Sequence, residues 1–126
     1  MKRLAVILCL ASFTASAQTA TAPSLPPPDS WTPRQSGTLR VLNKLDSTVQ
    51  TLDLHVGQTA KLQTLSITLR ACQVRPDGLP EDATAHLSVV DSRDGEPGFE
   101  GWILEKEPSL NMLEHPVYDI QLKGCA

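Results

Sequence analysis

Two cysteines set the tightest limit on how this chain can fold. Its first seventeen residues read as an export signal: Lys2 and Arg3 at the start, an apolar run from Leu4 to Leu10, and the small residues Ala15 and Ala17 at cleavage spacing. Cys9 lies inside that leader, preceded by Leu8 where a lipidation site wants a small residue, so only Cys72 and Cys125 remain after cleavage. Thiols sent to an oxidising compartment are expected to pair. Two buried free thiols are the alternative. Closing a loop of about fifty residues is worth about 4 kcal/mol in the chain-entropy picture, enough to decide whether a small domain folds.

Cleavage after Ala17 removes seventeen of the 126 residues together with Lys2 and Arg3, which takes the formal charge from −3 to −5. What is left is one domain's worth of chain, near the size at which a covalent staple helps. The apolar leader is too short to span a bilayer, and no later segment comes closer. An acidic chain without a basic patch offers little to phosphate backbones or anionic headgroups, so nucleic acid is not an expected partner.

Residues 18–37 are rich in Thr, Ala, Ser and Pro, with Pro26, Pro27 and Pro28 in a row. Such a segment has little to bury and reads as a disordered linker, with Trp31 expected to dock on the chain's own domain. The folded part, residues 38–126, then shows short alternating runs. Leu39, Val41 and Leu45 share one face, and Leu52, Leu54 and Val56 another, with Asp46 and Ser47 turning the chain between them. Gln58 to Val74 is the longest β-like run. Regular alternation there puts Leu65, Ile67, Leu69 and Ala71 on one face and Cys72 on the other.

The same parity places Tyr118, Ile120 and Leu122 inward in the last strand and Cys125 outward, unless a bulge at Gly124 resets it. Arg75 to Ala83 and Ser92 to Gly98 read as loops, with a short strand from Ala85 to Asp91 between them. Pro108, Leu110 and Leu113 predict a helical turn over 108–114, between strands at 99–106 and 117–123. The sum is an all-β chain: a small antiparallel sandwich or barrel of six to seven strands, with one short helical turn and one disulfide.

Reactive chemistry is sparse. His55, His86 and His115 stand in separate elements without Cys or His at metal-ligand spacing, so no metal and no cofactor is expected. Glu114, His115 and Asp119 form the nearest cluster that could serve acid-base work or hold zinc. Pro116 holds His115 extended, and the simpler reading is that Glu114 and His115 hydrogen-bond the turn before the last strand. No serine sits in a G-x-S-x-G elbow, and the acidic Asp94-Gly95 turn repels phosphate. No catalytic residue is assigned. Trp102 and Leu104 share one face of their strand, so Trp102 with His115, Tyr118 and Asp119 make the candidate binding surface, with core packing as the alternative for Trp102.

Several strings in the C-terminal half carry a resemblance: Gly101-Trp102, then Pro108, Leu110 and Leu113, running into EHPVYD at Glu114 to Asp119 and a terminal Cys125. LRVLNKL at Leu39 to Leu45 and RAC at Arg70 to Cys72 add to it. Together they resemble an exported alphaproteobacterial family of unknown function, domain-of-unknown-function family 2155. The resemblance implies a periplasmic location and a bond between Cys72 and Cys125, and it implies no known reaction. Export, small size and missing catalytic groups lead to the expectation of a non-enzymatic periplasmic protein that binds or supports another envelope component, its partner another periplasmic or envelope protein. An inhibitor of a hydrolase, acting through the loop from Arg75 to Ala83, is one alternative, and a hydrolase using Glu114, His115 and Asp119 is another.

Overall fold

The computed structural model describes residues 31–126. The expected export signal at 1–17 and the expected linker as far as residue 30 lie outside the described residues. Eight strands follow in order: β1 (Thr32–Arg34), β2 (Ser36–Asn43), β3 (Thr48–His55), β4 (Thr59–Leu62), β5 (Leu65–Val74), β6 (Ala83–Asp91), β7 (Phe99–Leu104) and β8 (Tyr118–Cys125). They form two antiparallel sheets. One runs β1-β5-β6-β7, with β4 also on β5, and the other runs β3-β2-β8. β8 lies across β5 and β6, so the sheets face each other as a sandwich.

Alternation explains the core. Leu65, Ile67 and Leu69 of β5, with Leu87 and Val89 of β6, meet Leu39 and Val41 of β2 and Ile120 and Leu122 of β8. Burying each such side chain is worth about 1.5–3 kcal/mol, so the aliphatic stripes drive the layers together. The hairpin between β2 and β3 is closed by polar side chains. Asn43 Oδ1 accepts from Leu45 N–H at 2.9 Å, and Asp46 Oδ1 accepts from Thr48 N–H at 3.0 Å, both local turns of the Asx type.

The cysteines pair, but not on the outer face. Cys72 is 1% exposed and bonds Cys125 with Cα atoms 5.7 Å apart, joining β5 of one sheet to β8 of the other. Two irregularities reverse the expected parity. The β5–β6 register slips between Leu69 and Ala71, which leaves Arg70 as the extra residue and turns Cys72 inward. The β2–β8 register slips opposite Thr38 and Leu39, where Lys123 is extra, and Cys125 turns toward Cys72. Gly37 makes room for the bond: a Cβ there would stand 2.7 Å from Cys72 Sγ.

Three other expectations change. The run from Gln58 to Val74 is a hairpin, β4 and β5, reversed at Gln63 and Thr64 with Gln63 at φ 53°. No Gly or Asn marks that turn, so the run reads as continuous. Helical structure among the described residues is confined to a 3-10 turn at Pro108–Leu110, because Leu113 is the single buried residue of the expected 108–114 turn and nothing holds a longer helix. The fold also starts before residue 38. β1 pairs Thr32 with Val74 and Arg34 with Cys72, and its Pro33 sits on an edge strand, where a missing N–H is tolerated. Trp31 does dock, with the Arg75 guanidinium 5.1 Å above its ring.

Candidate functional site

His115 is the most constrained polar group in the described residues. Pro116 keeps the chain extended after it, and the fully buried ring folds back on the start of β8. Its Nδ1 accepts from Val117 N–H at 3.0 Å and Tyr118 N–H at 3.2 Å. A nitrogen that accepts two N–H groups carries the lone pair, so the proton sits on Nε2, which donates to Asp91 Oδ2 at 2.8 Å. Lys44 Nζ donates to the His115 carbonyl at 2.9 Å and fastens the same turn to β2. Tyr118 packs its ring on His115 and donates its hydroxyl to Gln63.

Asp91, at the end of β6, is held from the other side by Arg93. The Arg93 Nη2 lies 2.9 Å from Asp91 Oδ2, and Arg93 N–H donates to Oδ1 at 3.0 Å. The guanidinium keeps the Asp91 carboxyl far below the usual carboxylate range; burial opposes this, and the Arg93 backbone N–H and His115 add to it. Glu96 completes a cluster in which its own carboxylate, that of Asp91 and the His115 ring offer ligand atoms within 4.8 Å of one another.

The chemistry of this donor set does not fit a metal ion. Coordination through Nε2 needs a lone pair there, which would move the proton to Nδ1, straight against two backbone N–H groups. The same geometry leaves the imidazole no free lone pair with which to act as a base. The cleft between Leu62, Gln63 and Tyr118 has room for about one water molecule.

The structure therefore corrects both residue groupings read from sequence. His115 takes Asp91 and Glu96 as its carboxylate neighbours, in place of Glu114 and Asp119: Glu114 is exposed, and Asp119 lies opposite Leu42 on β8. His115 and Tyr118 are buried together, whereas Trp102 stands elsewhere, half-buried on the solvent side of β7. There Trp102 stacks on His86 of β6, ring centroids 5.2 Å apart. Glu100 lies between Arg70 Nε, at 3.2 Å, and His86 Nε2, at 3.6 Å. The Ser88 hydroxyl and then the Arg70 guanidinium, with His86 beside it, hold the Glu100 carboxyl below its ordinary value, against burial.

A further clamp was not read from sequence. Arg75 Nη2 pairs with the buried Asp82 carboxylate at 3.2 Å, and Arg75 Nη1 donates to Pro80 O at 3.2 Å. The backbone closes the same loop through Arg75 N–H to Asp82 O at 3.0 Å. Leu79 projects from it, 58% exposed.

These features define a small disulfide-linked β-sandwich whose buried polar groups serve its own turns and whose outer sheet face carries an aromatic pair. No helix among the described residues is long and apolar enough to cross a membrane. The chain belongs to the family described as "Uncharacterized protein conserved in bacteria (DUF2155)", whose model matches residues 37–125. It is similar to "Uncharacterized protein RP359" of Rickettsia prowazekii (strain Madrid E), 28% identical over 93 residues, covering 71% of this chain and 60% of that relative. The chain thus spans less than two thirds of that relative's length. No solved structure matches.

Proposed function

We propose that this protein is a non-enzymatic periplasmic domain that binds or supports another protein of the cell envelope, and that the face around Trp102 makes the contact. The supporting observation is the division of its polar chemistry. His115, Asp91 and Arg93 are spent on one another and on backbone groups. Trp102, His86, Arg70 and Glu100 instead stand together on an outer sheet face. A large aromatic beside an arginine brings together two of the residue types in which interface binding energy concentrates. The leader at 1–17 supports the location, and the acidic balance argues against nucleic acid.

Cross-linking in periplasm followed by capture of the protein tests this reading. The wild-type chain is expected to recover a stoichiometric partner, and Trp102→Ala to lose most of it while keeping its melting temperature. Recovery of no partner, or equal recovery with both chains, counts against it.

The braced loop from Arg75 to Asp82 favours a second reading, an inhibitor that offers Leu79 to a hydrolase cleft. A loop held in one shape before binding loses little freedom on docking. Inhibition of a periplasmic protease or lysozyme that disappears in Leu79→Ala is the expected result on that reading. A panel without inhibition removes it.

A further inference from the structure

Sheet edges are where chains add to one another, because an edge strand shows a row of unpaired N–H and C=O groups. Natural proteins blunt them with Pro, Lys, bulges or covering loops. Most edges here carry such a device. β1 contains Pro33, β4 is four residues long and contains Lys61, and β8 contains Lys123 at its bulge. The β7 edge is covered by the return of the chain, where the Asn111 side-chain amide donates to Trp102 O at 2.7 Å.

Among the described residues β3 has none of these. Its eight residues pair with β2 in unbroken register, six of the eight are exposed, and Thr48 to Leu52 contain no charge, Pro or Gly. The hydrogen bonds fix which groups face outward. Ser36 exchanges backbone bonds with Ala126, and Lys44 N–H donates to Val117 O, so the even-numbered residues of β2 face β8 and the odd-numbered ones face β3. Opposite them Thr48, Gln50, Leu52 and Leu54 face β2. The backbone groups of Val49, Thr51 and Asp53 therefore point away from the sheet. At His55 the outward N–H is already taken by Gln58 Oε1, at 3.0 Å.

We infer that β3 pairs with β3 of a second copy, antiparallel about a two-fold axis through Thr51, so that the two three-stranded layers become one continuous sheet. This register alone brings Val49, Thr51 and Asp53 each opposite an outward-facing position: Thr51 meets Thr51 and Val49 meets Asp53. A shift by one residue at the axis wastes one of them or runs into the closed N–H of His55. It also keeps the two Asp53 carboxylates apart, and each remains tied to Thr38 of its own chain at 2.6 Å. The occupant is a second copy because this segment is both template and complement. It is rich in Thr, Val and Leu, already extended, and so orders nothing new on pairing. The pairing goes beyond the Trp102 reading and uses a different surface.

Sedimentation of the mature, oxidised protein from micromolar to near-millimolar concentration tests it. A reversible monomer–dimer equilibrium is expected, weak because a single strand pair makes a small interface. Thr51→Lys sets like charges face to face on the axis and is expected to raise the dimer Kd by at least about tenfold. Thr51→Pro removes an N–H that the monomer does not use and is expected to abolish the dimer; Thr51→Lys decides the matter alone should the proline variant fail to fold. Trp102→Ala is expected to dimerise like the wild type, which separates this pairing from partner capture. A wild-type chain that stays monomeric throughout, or a dimer that survives both Thr51 variants, overturns the inference.

Discussion

Replacing Cys72 and Cys125 together by alanine is expected to lower the unfolding free energy by about 4 kcal/mol, the largest effect of any change in this chain. The bond joins β5 to β8 across a sequence separation of 53 residues, and it is the only covalent cross-link between the two sheets among the described residues. Breaking it returns that loop's freedom to the unfolded chain. It also leaves space at Cys72, which packs against Gly37 inside the core. Small domains are stable by about 5–15 kcal/mol, so the variant is expected to be marginal, with its melting temperature lower by about 20 °C. Urea melts of the oxidised wild type and the double variant measure this directly. A difference below about 1 kcal/mol means the two layers hold without the link.

The second large effect is expected at His115. His115→Ala strips the acceptor from the N–H groups of Val117 and Tyr118 and the donor from Asp91, and leaves a hole beneath Tyr118. Unsatisfied buried groups cost about 1–3 kcal/mol each, so a loss of about 3 kcal/mol is expected. His115→Asn places an oxygen near the position of Nδ1 and is expected to restore part of that loss, since the turn needs an acceptor more than it needs an imidazole. Equal losses in both variants would show that packing, not the hydrogen bonds, matters here.

The same network fixes the sign of an acid dependence. The Asp91 carboxyl is depressed in the folded state, so its contribution is fully present above the unfolded value, about pH 4, and is lost as pH falls through the folded one. Asp91→Asn is expected to be less stable near neutrality and to flatten the acid limb of the stability profile. A profile parallel to the wild type's would assign the acid sensitivity to other carboxylates.

Much of the scaffold was legible because the aliphatic residues of β2, β5 and β8 alternate cleanly, and the loops around Gly78 and Gly95 are marked by turn residues. Parity failed only where a strand holds one residue too many. Nothing in the strings Leu69 to Cys72 or Leu122 to Cys125 announces a bulge, because the extra residue is recognisable only against its partner strand. The turn at Gln63 was hidden for the opposite reason, since a positive φ there is borne by a residue with no preference for it.

The site was less legible than the scaffold. His115 stood out, yet its carboxylate partner is 24 residues away and reaches it only when β6 and β8 cross. What the chain did show near Asp91 was local: its Oδ1 accepts the N–H two residues on, a pattern that DSR spells out. Arg75 and Trp31 similarly meet through the pairing of β1 with β5, where composition pointed to a tether.

The adjacency of β2 and β8 has a bearing on how the molecule matures. A polypeptide synthesised amino end first releases residues 36–43 long before residues 118–125 arrive to lie beside them. Until then the smaller layer consists of one hairpin, with Leu39 and Val41 uncovered. Contacts so distant along the chain form slowly, so closure follows full release and the interval before it is when this protein is most open to misassembly.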